Sequence, residues 1–231
     1  MPERAKRQRL IDDIQAECDR RYPQATGTMD IMMRANQYRR LYAVTAGFSK
    51  LKGMKVLDVG CGAKGEWGDE YHRRSLYSEP WFARFAALAG ADVIGIDKRK
   101  SEDEVYKHDA SEITIEQTLQ KYPSDTFDIV NTSAFLVPVH KQKEHSMNIE
   151  VTPLEMLNKY SDADLAQLDD NLCNEALRVL KEGGYFLYNE TIFQKHQGQF
   201  RNIPRETLFL ELGIDLITPH RSDRDAASFE I

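Results

Sequence analysis

The 231-residue chain predicts an α/β fold: a doubly wound, mostly parallel seven-stranded sheet with helices on both faces, preceded by an N-terminal helical extension. Three observations predict it. From Met54 onward short apolar runs alternate with segments of helical periodicity, and tight glycine turns join them. The first fifty residues, by contrast, carry only helical patterning. The expected division is a helical extension or lid over 1–52 and a ligand-binding domain over 53–231.

In the extension, Leu10, Ile11, Ile14 and Cys18 recur at helical spacing, and Tyr22-Pro23 ends that helix. PQATGT has turn composition, and a second helix runs from about Asp30 to Ser49, with Met33, Tyr38, Leu41, Tyr42 and Phe48 as its bulky members. Lys55 to Val59 is the first strand. Ser78-Glu79-Pro80 reads as a capped helix start continuing through WFARFAALAG to Gly90. Asp92 to Ile96 is a second strand ending in Asp97, and Val105 to Lys107 a weaker third. Ile115 to Tyr122 is helical, and Phe127 to Asn131 forms the fourth strand. Leu165, Leu168, Leu172, Ala176, Leu177 and Leu180 mark a long helix over Asp164 to Leu180, which Gly183-Gly184 ends before the strand Tyr185 to Tyr188. A helix over Pro204 to Leu212 and strands over Ile214 to Ile217 and Ala227 to Ile231 complete the pattern. Right-handed crossovers would place the ligand at the carboxyl ends of the strands.

Composition narrows the function. The formal charge of -6 disfavours a polyanionic partner, so nucleic acid is not expected. The basic run Glu3 to Arg9 reads as a solvated first helical turn. Three scattered cysteines suit neither a disulfide framework nor a paired-spacing zinc site, so no metal is expected. The start is charged and lacks an apolar signal segment, and no run approaches the ~18 apolar residues of a membrane span. A cytoplasmic location is the expectation.

The chemistry concentrates at VLDVGCGAKG, Val56 to Gly65. Gly60, Gly62 and Gly65 match the spacing G-x-G-x-x-G, a dinucleotide fingerprint that is weak alone. Two details oppose that reading. Asp58 stands just before the glycines, where a pyrophosphate would be repelled. Asp97 also arrives about ten residues later than a dinucleotide fold would place its ribose-binding acid. A cofactor bearing an amino acid suits Asp58 better, since a carboxylate attracts an ammonium group.

Here the sequence resembles the class I S-adenosylmethionine-dependent methyltransferases. VLDVGCG looks like the first motif of that family, DVIGID its second strand, and KHDASEI its adenine-contacting segment. FDIVNTSAF resembles the fourth-strand motif and EALRVLKEGGYFLY the helix-turn-strand after it. The resemblance implies a Rossmann-like fold with S-adenosylmethionine as cofactor. It implies that Asp58, Gly60, Cys61 and Gly62 surround the methionine part, and that Asp97, followed by Lys98, binds the ribose. Asp109 and the Ala110 amide would meet the adenine, and Asn131 would face the methyl-transfer region. Taken alone, Asp97 and Asp109 could equally be helix caps or loop acids; together, at strand ends after such a turn, they read as binding residues. Lys64, standing where the usual third glycine falls, and the loop Glu66 to Tyr77 depart from the pattern. That loop either closes over the cofactor or lines the acceptor pocket, with Trp67 and Tyr71 as apolar walls, or is an ordinary surface excursion.

The expected activity is methyl transfer to a small-molecule acceptor. NTSAF lacks the paired prolines that mark enzymes methylating exocyclic amines. Were a general base needed, His140 and Glu190 are the candidates; His140 and His145 are spaced poorly for a metal. Met32, Met33, Tyr38 and Tyr42 would either pack or roof the pocket. Two alternatives compete: an NAD-linked oxidoreductase, and a cofactor-binding interaction module without catalysis.

Overall fold

The computed structural model describes residues 3–22, 37–38, 40–42, 44–45, 50–62, 80–97, 105–110, 115–132, 162–188 and 191–204. Its elements are α1 (Glu3–Arg21), β1 (Lys55–Val59), α2 (Trp81–Leu88), β2 (Asp92–Asp97), β3 (Lys107–Ala110), α3 (Ile115–Leu119), β4 (Phe127–Thr132), α4 (Asp162–Val179), β5 (Leu180–Tyr188), β6 (Thr191–His196) and β7 (Gln199–Ile203). Gln37, Tyr38, Arg40 to Tyr42, Val44 and Thr45 are helical as well.

One seven-stranded sheet runs in the order β3-β2-β1-β4-β5-β6-β7. The first five strands pair in parallel and the last two join antiparallel, so the mostly parallel sheet expected from the sequence is present. The central strands β1 and β4 are buried almost throughout, as strands covered on both faces must be. Alternation along each strand feeds two cores. On one face Val56, Val93, Ile129 and Leu187 meet Trp81, Phe82 and Phe85 of α2, together with Ile14 and Cys18 of α1. On the other, Leu57, Val59, Ile96, Val130 and Phe186 meet Leu119 of α3 and Leu172, Ala176 and Val179 of α4.

The N-terminal segment shares the first core. Leu41 and Val44 are buried in it, and Tyr38 packs edge-on against Phe85 at 5.3 Å, so packing is the role Tyr38 takes. The buried Arg84 guanidinium lies 3.7 Å from the Tyr22 ring and 4.7 Å from the Trp81 ring, tying the end of α1 to α2. Met32, Met33 and Phe48 lie outside the described residues.

Three expectations need correction. The third strand is Lys107–Ala110, with Val105 and Tyr106 in the turn before it, because pairing to β2 starts at Ile94↔Lys107. The glycines Gly183-Gly184 do not end the long helix. That helix stops at Val179 and β5 starts at once, pairing Leu180 with Phe127 and Tyr185 with Ile129. The residues between bulge out over Asp128, whose carboxylate takes an ion pair from Lys181 at 2.8 Å. The third correction is the β6–β7 hairpin, which the sequence pattern does not announce. Gln197 and Gly198 both have positive φ (53° and 72°) between the paired His196 and Gln199, the geometry of a two-residue type I′ turn. Both turn amides donate to the Glu182 carboxylate. The expected helix over 204–212 and the strands over 214–217 and 227–231 lie outside the described residues, apart from Pro204. So does the Ser78 cap.

Gly184 is required by close approach: a Cβ there would sit 2.9 Å from both the Asp128 and the Lys181 carbonyl oxygens. Backbone atoms cannot yield cheaply. Gly184→Ala is expected to lower unfolding stability by about 1–3 kcal/mol in a denaturant titration, the range for overpacking.

Candidate functional site

The strand order reverses at β1, with β2 on one side and β4 on the other, and the carboxyl ends of the three strands form the crevice. β1 delivers Asp58, β4 delivers its direct register neighbour Asn131, and β2 delivers Asp97. Beyond β1 the chain turns through Gly60 (φ 67°) and Gly62 (φ 85°), conformations that favour glycine. Amides of Gly60 and Cys61 donate to the Ile96 carbonyl at 2.8 and 3.1 Å, and the Gly62 amide donates to Asp97 Oδ2 at 2.9 Å. The turn is thereby clamped to the end of β2.

Cys61 braces the turn from inside. Its buried thiol donates to the Gly62 carbonyl at 3.0 Å, and burial, with Asp58 and Asp97 nearby, pushes its pKa up. A thiol held protonated is a packing group here, not a nucleophile. Gly95 makes room for it, since a Cβ there would fall 2.9 Å from Cys61 Sγ and 2.6 Å from the Tyr106 ring.

Asp58 is only 1% exposed. Asn131 Nδ2 donates to its Oδ1 at 2.7 Å, and the Ala83 backbone amide hydrogen-bonds to the same carboxylate. Ala83 lies in the first turn of α2, whose N-cap is Pro80 and has no side-chain cap bond. Asp58 therefore satisfies, from the sheet, a helix amide that a capping side chain would otherwise take. Burial raises its pKa to about 7. The Asn131 bond, the Arg40 charge and the Ala83 amide favour the ionised form, and Asp97 opposes it. Arg40 is itself buried, on the inward stripe of the helical segment with Gln37, Leu41 and Val44. Two buried polar atoms at the end of β4, Asn131 Oδ1 and Thr132 Oγ1, have no hydrogen-bond partner among the described residues. Each such group costs about 1–3 kcal/mol.

Asp109 and Ala110 stand at the carboxyl end of β3, where Ala110 pairs with Asp97 and Asp109 with Ile96. Asp109 faces the α3 side, 3.5 Å from Lys121 Nζ, and its side chain is one-third exposed. The structure thus brings Asp58, Gly60, Cys61, Gly62, Asp97 and Asn131 together and sets Asp109 one face away. Lys98, His140, His145 and Glu190 lie outside the described residues, as do Lys64, Gly65 and the 66–77 loop with Trp67 and Tyr71. Sequence reasoning missed Arg40, Thr132 and the Ala83 amide. For Arg40 the readable signal was a charge at helical spacing among the buried Leu41 and Val44.

Of the segments that carried the resemblance, VLDVG is β1 and its turn, DVIGID is β2 and FDIVNT is β4 as expected, whereas KHDA lies within β3 itself and EALRVLKEGGYFLY passes from α4 into β5 without the expected turn. The fold is a Rossmann-like, seven-stranded, mostly parallel sheet with helices. No protein-family model matches the chain, and no curated protein does. Among solved structures it is similar to a candidate S-adenosylmethionine-dependent methyltransferase from Listeria monocytogenes, with 21% identity over 66% of this chain and a TM-score of 0.34. The chain spans about half of that protein, 53% of its length. It is also similar to an S-adenosylmethionine-dependent methyltransferase from Mesorhizobium loti, with 19% identity, 78% of this chain and 76% of that one covered, and a TM-score of 0.33. A third is the bifunctional kinase-methyltransferase WbdD, with 15% identity, 68% and 27% coverage, and a TM-score of 0.28. Among the described residues no helix is long and apolar enough to cross a membrane.

Proposed function

We propose that the chain is an S-adenosylmethionine-dependent methyltransferase acting on a small-molecule acceptor. The charge of the cradle carries this reading: two buried carboxylates, Asp58 and Asp97, stand at the glycine turn with the buried Arg40 beside Asp58. A dinucleotide would press its pyrophosphate against both acids. A cofactor with a sulfonium, an ammonium and one carboxylate matches them. The acceptor Asn131 Oδ1, unpartnered among the described residues, fits a ligand that brings hydrogen-bond donors.

In this reading the backbone of Gly60, Cys61 and Gly62 lines the methionine part of the cofactor. Arg40 pairs with its carboxylate, a task suited to a forked guanidinium. Asp97 accepts from the ribose hydroxyls while holding Gly62, since a carboxylate has about four acceptor sites. Lys98, the next residue in the chain, is assigned to the cofactor as well, and the Ala110 amide beside Asp97 takes the adenine together with Asp109, which would reach it from the α3 side. When bound, S-adenosylmethionine supplies a methyl carbon activated for in-line displacement. The chain's own part is to align the acceptor and exclude water, with His140 or Glu190 receiving a proton where the acceptor must lose one. The formal charge of -6 supports a small acceptor over nucleic acid.

Calorimetry with S-adenosylmethionine and with NAD is the primary test: binding of the first and not the second is expected, and tight NAD binding alone overturns the reading. Transfer of labelled methyl into the small-molecule fraction of a cell extract checks the acceptor class. Arg40→Gln is expected to weaken S-adenosylmethionine binding about 10- to 150-fold, the equivalent of about 1.5–3 kcal/mol for hydrogen bonds to a charged group. Its affinity for 5′-methylthioadenosine, which lacks the carboxylate, should be unchanged.

A further inference from the structure

We infer that the side-chain carbonyl of Asn131 is the group that meets the α-ammonium of the cofactor, and that Asp58 is a positioning residue that holds the Asn131 amide the right way round. This rests on the S-adenosylmethionine reading and assigns the contact within it.

Asp58 is already committed. One carboxylate oxygen accepts from Asn131 Nδ2 at 2.7 Å, and the carboxylate also takes the Ala83 amide of α2. A group wedged between a helix N-terminus and a neighbouring strand is poorly placed to receive a ligand directly. Asn131 is not committed in the same way. It is fully buried, yet its Oδ1 has no partner among the described residues.

The orientation of the amide follows from charge. Where Asp58 is ionised its carboxylate can only accept, so Asn131 presents its NH2 to Asp58, as in the 2.7 Å bond, and turns its carbonyl away. The bond also polarises the amide, and a hydrogen bond donated to an anion makes the carbonyl at the other end a stronger acceptor. Asp58 thus acts on the ligand through Asn131. Its register neighbour on the other side, Gly95, has no side chain with which to compete. The buried acceptor at the end of β4 is what a cationic donor would complete.

An exchange of the two side chains tests this. In the double variant Asp58→Asn/Asn131→Asp the carboxylate stands on β4, while the amide on β1 can still donate to it and accept from Ala83. S-adenosylmethionine binding is measured by calorimetry, with 5′-methylthioadenosine, which has no ammonium, as the control ligand in every variant. The single variants Asp58→Asn and Asn131→Leu should each lose roughly tenfold or more for S-adenosylmethionine and keep their affinity for the control, as expected for a charge-assisted contact. The exchanged protein should bind S-adenosylmethionine within about threefold of wild type or more tightly, because its carboxylate now meets the ammonium directly. If Asp58 itself makes the contact, the exchanged protein binds as weakly as Asp58→Asn, and the inference is wrong. A wild-type protein that binds neither ligand overturns the methyltransferase reading instead.

Discussion

Asp97→Ala is expected to reduce S-adenosylmethionine affinity by roughly 10- to 150-fold, or about 1.5–3 kcal/mol, the range for hydrogen bonds to a charged group. Two losses combine. The ribose hydroxyls lose their acceptor, and the Gly62 amide, bonded to Asp97 Oδ2 at 2.9 Å, loses the anchor that clamps the glycine turn to β2. Asp97→Asn separates them, since an amide oxygen can still accept from Gly62 while the charge is gone. It should fall between wild type and alanine in calorimetry. Unchanged affinity in the alanine variant would remove Asp97 from the site.

The second large effect is a pH dependence set by Asp58. Its folded pKa of about 7 lies above the ordinary 3.8, with burial as the main cause. A raised carboxylate pKa means the folded state holds a proton that the unfolded chain has already released. The Asp58 contribution to stability is therefore fully present below about pH 4, is lost as pH rises toward about 7, and is constant above that. The gap between 3.8 and about 7 corresponds to a decline of about 4 kcal/mol. Denaturant titrations at pH 5 and pH 8 should show about 3 kcal/mol of it, the part that falls between pH 5 and about 7, and Asp58→Asn should flatten the difference. Cofactor binding favours ionised Asp58, so S-adenosylmethionine should stabilise the protein more at pH 8 than at pH 5.

Much of this was legible in the sequence because the signals are local. A buried five-residue strand running into Gly60 and Gly62 announces a ligand turn wherever it occurs, since only a small set of residues tolerates that backbone. Asp97 and Asn131 could be named because each closes an apolar run, and a strand's end is set by its own residues. The β6–β7 hairpin was not legible: Gln197-Gly198 is a weak turn signal, and its amides are held by Glu182, fifteen and sixteen residues away. Nor was the boundary between α4 and β5. The helical stripe includes Leu180, but pairing with Phe127 claims that residue for the sheet.

The sequence by itself determined the α/β plan, the glycine turn and the acids at strand ends, because periodicity and turn chemistry act over a few residues. Only the tertiary structure decided what each acid does. Asp58 looked like a ligand-binding carboxylate, and folding encloses it between Asn131, the Ala83 amide and Arg40, from three separate stretches of chain. Its raised pKa, its commitment to α2 and the open acceptor on Asn131 all follow from that enclosure. Burial and hydrogen-bond partners depend on contacts between residues far apart in sequence, and no local pattern encodes them.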